Sequence, residues 1–397
     1  MNSKRIHSID VFRALTMLLM IWVNDFWTLQ SVPKWLKHAS SGEDYLGFSD
    51  LIFPWFLFVL GMSIPFSFQK RIQNGDGSWL MCKHIFTRTI ALITMGLFHM
   101  NMEMYNDEYS AFTKPFFVII TTSAFFLIWS DFSSSMKKNK NLDKIVRFIG
   151  ILILVFMVLS FTGKDYEGNQ IGFKTHWWGI LGLIGWVYFI AASAYLIIKN
   201  SLVGMSICFT IFFGLNILSS SGIPYNIFSW QNTNWIPGSG GLQAIAFGGI
   251  IVSLLVIKLK PEKNIIGFYS VLLGLGSISF GMGIFLRNYY IISKIQNTPS
   301  WILVSLSTAI ILFGLIHWIT DFKKYLSWYR FISIAGTSTL TCYLIPYFYY
   351  NITALSSLTI PTVFTTGIIG LFKSALYSLM MILIAWIFTR MKLQIKI

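Results

Sequence analysis

Twelve apolar runs divide this chain and leave little room for any other architecture. They lie near 11–27, 50–68, 85–101, 114–130, 145–161, 177–198, 201–219, 241–257, 264–284, 301–320, 331–350 and 370–389. About twenty apolar residues form a helix long enough to cross the hydrocarbon core of a bilayer. The expected fold class is therefore all-α, a polytopic membrane helix bundle of about 12 transmembrane helices, with residues 1–397 forming a single transmembrane domain.

Between the runs charge is scarce: 11% of residues are charged and 55% hydrophobic, against about 25% charged in soluble globular chains. A soluble protein is excluded. The 30 Lys and Arg exceed the 15 Asp and Glu, for a net charge of +15. Such a surplus can serve nucleic-acid binding, but here the basic residues are scattered between apolar runs rather than gathered on one face. Membrane topology accounts for them better. Twelve crossings put both termini on one side, and Lys4, Arg5, Arg13, Lys70, Arg71, Lys83, Arg88, Lys137, Lys138 and the later basic residues of that side make 22 of the 30, leaving 8 opposite. The positive-inside bias makes that side, and both termini, cytoplasmic.

Cys82, Cys208 and Cys342 are isolated, with no C-x-x-C and no metal-type spacing to histidine. Neither a disulfide framework nor a metal site is expected. The N-terminal MNSKRIHSID leads through an apolar run to Asn24 and Asp25 rather than to a small-residue cleavage site, so it reads as a retained first helix. The two halves share no motif, which weakens a transporter reading built on duplicated halves.

The stretch Val32 to Phe58 concentrates Lys37, His38, Glu43, Asp44 and Asp50 just before a helix entering lipid. Solvation by surrounding water explains Lys37, Glu43 and Asp44 as readily as any chemistry does. His38 and Asp50 are different. Ser49 and Asp50 stand where an N-cap belongs, and Pro54, which has no N–H, leaves the Asp50 carbonyl without its i+4 donor. A carboxylate and a free carbonyl then face the loop carrying His38.

On the first helix, Asp10, Arg13 and Asn24 share a face, since the eleven residues from Arg13 to Asn24 rotate by about three turns plus 20°. They are about 16 Å apart along the axis at 1.5 Å per residue, comparable to an extended pantetheine arm. Ionisable groups on a spanning helix are costly and usually line an interior path. The plainer reading is an i,i+3 pair of Asp10 with Arg13 in the cytoplasmic headgroup zone.

These two segments also carry a resemblance. KHASSGEDYLGFSDLIFPWFLFVLG resembles the K-H-A-S-W-x-G-x-x-x-x-D-L-V-F-P-W-F-x-F-x-x-G stretch of the heparan-alpha-glucosaminide N-acetyltransferase family, and RIHSIDVFRALTMLLMIWVN is similar to its R-x-x-S-x-D-x-x-R-G-x-x-x-x-x-M-x-x-V-N helix. Ala14 replaces the usual glycine. Farther on, HWWGILGLIGWVY resembles the family's G-V-L-Q-R-I-G-x-x-Y, with Gly182 and Leu183 where the family has Gln and Arg. WIPGSGGLQAI from Trp235 resembles Y-D-P-E-G-L-L-x-T-x-x-x-I without its acidic residues. ISKIQNTPSWILVS keeps the Lys294, Thr298 and Ser300 of I-N-K-x-L-W-T-x-S-W-x-L, and GTSTLTCY from Gly336 is similar to G-T-N-S-L-x-x-Y. The pair of helices between residues 114 and 161 looks like an insertion into ten family helices.

The resemblance implies a membrane enzyme that moves an acetyl group from cytoplasmic acetyl-CoA, a co-substrate, to a glucosamine-type amine across the bilayer. His38 matches the family's catalytic histidine. Acyl transfer to an amine needs a proton acceptor and stabilisation of a tetrahedral oxyanion. His38 serves either as general base or as acyl-accepting nucleophile. Asn24 is the candidate oxyanion donor, and Asp50 orients the imidazole or holds the incoming ammonium. Asp10, Arg13, Arg88 and Arg330 are assigned to CoA binding, and the arginines, with Lys83, suit its phosphates; positive-inside charge is the alternative for the basic residues other than Arg13. Lys37, Trp35 and Lys294 are assigned to the acceptor.

Aromatic residues crowd the external loops, at Trp27, Trp35, Tyr45, Trp177, Trp178, Tyr225, Trp230, Trp235, Tyr289 and Tyr290. Sugar rings stack on such faces, although interfacial belts place the same residues there. Gly179, Gly182 and Gly185 recur every three residues, the small-residue pattern of closely packed membrane helices. The expected partners are acetyl-CoA, a sugar or glycan acceptor and the lipid bilayer, with a homodimer allowed and nucleic acid excluded. With no large luminal domain and no lysosomal processing segment, the chain reads as a bacterial inner-membrane protein. The other class left standing is a secondary transporter or flippase of a sugar or glycolipid, although QKRIQNGDGSWLMCKH lacks a Gly-x-x-x-Asp-Arg type signature.

Overall fold

The computed structural model describes residues 6–130, 140–165, 167–176, 178–222, 238–356 and 358–397. Lys4, Arg5, Lys137, Lys138, Trp177, Tyr225, Trp230 and Trp235 lie outside them. Among the described residues the chain forms twelve helices of 16 residues or more: α1 (His7–Asn24), α2 (Ser49–Gln73), α3 (Ser78–Glu103), α4 (Lys114–Trp129), α5 (Lys140–Leu159), α6 (Ile180–Ile198), α7 (Leu202–Ser220), α8 (Gly241–Leu259), α9 (Ile265–Leu286), α10 (Pro299–His317), α11 (Thr339–Leu355) and α12 (Gly367–Arg390). Each answers to one apolar run. Eight of them, α2, α3, α6 to α10 and α12, are long and apolar enough to cross a membrane by length and composition. The other four are shorter or carry charge, as α1 does at Asp10 and Arg13.

The apolar run at 331–350 is not one helix. A five-residue helix, Ser333–Thr337, is followed by a break at Ser338, where the backbone turns to φ −123° and ψ 40°, before α11 begins. A GTS stretch of poor helix formers sits at the break, so propensity explains what apolarity alone misses. The short helix packs on α1, and Gly336 lies against the Asp10 carbonyl.

The bundle centres on α2, α8 and α10, whose positions are mostly buried, while few positions of α7 and α9 are buried. Phe148 and Leu152 on α5, Ile207 and Ile211 on α7, and Ile278 and Phe285 on α9 point outward. In a bilayer these faces meet lipid rather than water. Helix α2 packs on α8 and α1, α3 on α6, α7 on α8, α9 on α10, and the α4–α5 pair attaches through α4 to α11. The α3–α6 contact uses the glycine repeat: a Cβ on Gly96 would lie 2.3 Å from the Gly182 nitrogen, so only glycine allows the two backbones this close. That close approach replaces the hydrophobic effect, which lipid does not provide between helices.

Candidate active site

The site grows from the loop between α1 and α2. Asp50, in the first turn of α2, is 1% exposed and accepts three hydrogen bonds: from His38 Nδ1 at 2.7 Å, from the Ala39 N–H at 3.0 Å and from the Gly47 N–H at 3.1 Å. A buried carboxylate with three donors is a stable anion. Its short contact fixes the proton on Nδ1 and leaves the His38 Nε2 lone pair free, the tautomer a base needs. The expected N-cap role is corrected here. Phe48 holds the cap position without a side-chain bond, Asp50 turns to the loop, and the Ser49 hydroxyl donates to the Leu36 carbonyl.

Gly47 makes this turn feasible. A Cβ there would sit 1.7 Å from the Lys37 carbonyl oxygen and 3.5 Å from Asp50 Oδ2. The loop is also held from the far end of the chain. Asp44 accepts from Arg287 Nε at 2.8 Å and from the Ile292 N–H at 2.8 Å, and the Ser41 carbonyl accepts from Ser293 Oγ at 3.0 Å and Gln296 Nε2 at 2.8 Å. Burial acts to raise the Asp44 pKa, but the Ile292 N–H and Arg287 outweigh it and hold the carboxyl below its usual range.

This clamp brings Lys294 to the site, with Nζ 3.3 Å from His38 Nδ1. Because the Nδ1 proton is committed to Asp50, the amine is a close neighbour of the ring rather than its hydrogen-bond donor. Burial pushes the Lys294 pKa below the usual lysine range, against the attraction of Asp50.

His38, Asn24 and Lys294 open into a cavity of about 390 Å³, walled by α1, α2, α6, α8 and the start of α10, the outer one in the topology expected from the basic residues. An inner cavity of about 1060 Å³ lies toward the opposite ends of α1 and α2. Asp10, Arg13 and Arg88 line it, joined by Lys70, Ser63, Gln73 and Asn74, which sequence reasoning missed. Ser63, Ser67 and Lys70 follow at i, i+4 and i+7, a polar stripe on an otherwise apolar helix that the sequence does display. Arg13 donates to Ser63 Oγ at 2.5 Å and to the Gly336 carbonyl at 3.1 Å, with Asp10 a looser 3.7 Å away. Arg88 rests on the Tyr188 ring, 4.6 Å from its centre. Met20 is the residue common to the two linings.

Other expected site residues stay apart. Trp35 is 61% exposed and Lys37 exposed beside it, and neither lines the outer cavity. Lys83 and Arg330 are exposed and line neither cavity. Gln243, Ser239, Asn297 and Trp301, which do line the outer one, drew no attention as polar or aromatic residues near helix ends. No group of three His, Cys, Asp or Glu suited to a metal occurs among the described residues.

The fold and the paired cavities define an integral membrane protein of the all-α polytopic class, with a histidine–carboxylate pair at the mouth of one cavity and cations in the other. Residues 5–86, which hold α1, the loop and α2, match the family model for heparan-alpha-glucosaminide N-acetyltransferase, catalytic. The chain is 34% identical over 101 residues to the Homo sapiens heparan-alpha-glucosaminide N-acetyltransferase and 32% identical over 104 residues to that of Mus musculus, matches covering 24% and 25% of this chain. Each covers 14% of the relative's length. The resemblance to this family thus falls on the segment that builds the His38–Asp50 pair.

Proposed function

We propose that this protein is a transmembrane acetyltransferase, a single domain that takes acetyl-CoA from the cytoplasm and acetylates the amino group of a glucosamine-type sugar at the outer face of a bacterial inner membrane. The observation that carries this reading is the shared face of α1. It runs from Asp10 and Arg13 in the inner cavity, past Met20, to Asn24 in the outer one. Arg13, Lys70 and Arg88 suit the phosphates of CoA, which is the co-substrate. Asn24, at the outer end, suits the carbonyl oxygen of the acetyl group as it gains charge. His38 Nε2 takes the proton that the attacking amine loses, while Asp50 stabilises the imidazolium that forms. In the alternative route His38 itself attacks the thioester and passes the acetyl group to the amine, and the thiolate leaves in either case.

Purified protein incubated with radiolabelled acetyl-CoA and glucosamine should yield labelled N-acetylglucosamine, and His38→Ala should not. Acetyl-CoA alone leaves label on His38 in the second route only. Absence of product with both substrates bound, together with uptake of sugar into vesicles, would replace this reading by a transporter. For topology, Cys introduced at exposed Ser41 should react with an impermeant reagent outside intact cells.

A further inference from the structure

Beside His38 and Lys294, the outer cavity is lined by apolar and uncharged hydrogen-bonding residues. Gln243 on α8, Asn297 before α10 and Trp301 on α10 line it. Apart from His38 and Lys294, no Asp, Glu, Lys, Arg or His is among the described residues that line it.

This wall is held in place from behind. Asn216, fully buried on α7, donates through Nδ2 to the Asn297 carbonyl at 2.7 Å and to Ser239 Oγ at 3.3 Å, and Asn297 Nδ2 also donates to Ser239 Oγ. Asn297 itself takes a left-handed backbone, φ 54°, a conformation asparagine tolerates better than most residues. Three polar atoms of the assembly remain buried without a partner: Asn216 Oδ1, Asn297 Oδ1 and Trp301 Nε1. Such atoms cost free energy and are rare in folded proteins. Asn297 and Trp301 are residues of the cavity lining, and Asn216 lies behind them.

Resting on the acetyltransferase reading, we propose that Gln243, Asn297 and Trp301 form the acceptor subsite and determine specificity, taking the hydroxyls of one neutral sugar ring while its amine faces His38. Indole N–H and amide groups offer both donors and acceptors, which a hydroxyl matches and a phosphate does not. The cavity, about 390 Å³, is at the small end of the range for small-molecule sites, about 300–1,000 Å³. It suits a single ring rather than a polymer segment. A site built to bond hydroxyls rejects analogues that lack them, because its own groups are then left unpaired.

The test uses the full chain in lipid nanodiscs, with binding read from intrinsic tryptophan fluorescence and turnover measured separately. D-glucosamine should bind on the order of tenfold more tightly than cyclohexylamine, a ring of the same size without hydroxyls, and more tightly than glucosamine 6-phosphate. Gln243→Leu and Trp301→Phe should each reduce the glucosamine preference severalfold and leave cyclohexylamine binding unchanged. Equal binding of the two amines, tighter binding of the phosphate ester, or equal weakening of both amines in the variants overturns the subsite. Selective sugar binding without acetyl transfer supports the subsite and overturns the acetyltransferase. Acetyl transfer to both amines at equal efficiency does the reverse.

Discussion

The Ile292 N–H donates to Asp44 Oδ1 at 2.8 Å, and through this contact two loops 248 residues apart in sequence are set against each other. One loop carries His38 and the other Lys294. Their 3.3 Å approach depends on that clamp.

Asp44→Ala should therefore lower acetyl transfer by about 10- to 100-fold through misplacement while acetyl-CoA binding stays unchanged. The carboxyl is below its usual range in the folded protein. Its contribution to stability is thus present above the unfolded value of about 3.9 and is lost as the pH falls through the lower folded value. Thermal unfolding of wild type and Asp44→Asn between about pH 3 and about pH 6 should show a steeper acid loss in the wild type.

His38→Ala should reduce turnover by on the order of 10²-fold or more and change stability by less than about 0.5 kcal/mol. The ring is 45% exposed at the cavity mouth and packs little. Asp50→Asn behaves differently, because one amide oxygen cannot accept from His38, Ala39 and Gly47 together. Its NH₂ must face a donor, at a cost of about 1–3 kcal/mol. A lowered unfolding temperature together with a rate above that of His38→Ala is the expected pattern, and unfolding scans beside kinetics check it.

Gly47→Ala tests the loop without touching a polar group. The added methyl would lie 1.7 Å from the Lys37 oxygen, whereas a Cβ on Gly42 in the same loop meets nothing within 4 Å. Gly47→Ala should lose activity and heat stability, and Gly42→Ala should keep both. Equal behaviour of the two variants in a thermal inactivation assay would refute the close approach.

Lys294→Met removes an amine whose folded pKa lies below 10.5. The unfolded chain binds the proton more tightly, so wild-type stability rises with pH between the folded value and 10.5, and falls as the pH drops through that window. The variant should lose this slope in the window below pH 10.5 and be at least as stable as wild type at neutral pH. Differential scanning calorimetry at several pH values reads the effect.

Arg13→Ala should weaken acetyl-CoA binding with little change in acceptor affinity, and Lys70→Ala should do likewise. Arg13 also holds the Gly336 carbonyl, so some loss of stability accompanies its removal. Equilibrium binding of acetyl-CoA to both variants checks the inner cavity, and unchanged affinity in both would remove CoA from it.

His38, Asp50, Asn24 and Arg13 were readable from sequence because polar residues in an apolar chain demand a reason. Trp35 and Lys37 stand apart from the cavity for a local reason: neighbours along the chain face different ways, and His38 turns to Asp50. The Asp44 clamp and the Asn216–Asn297 bond join residues from distant helices, and no local pattern encodes such pairings. The break at Ser338 lay within an apolar run, where hydropathy measures lipid compatibility but not helix continuity. Lys70 ends the Ser63, Ser67 stripe, but in the sequence the positive-inside bias accounts for it equally well.

Met20 touches both cavities, and it is 4% exposed. A membrane that stores a proton gradient is short-circuited by any continuous file of water through it. Where the two cavities meet, the residue they share is a flexible, apolar thioether side chain. An uncharged group of acetyl size can pass an apolar side chain where a hydrated ion cannot, so two cavities that meet at Met20 need not make a leak.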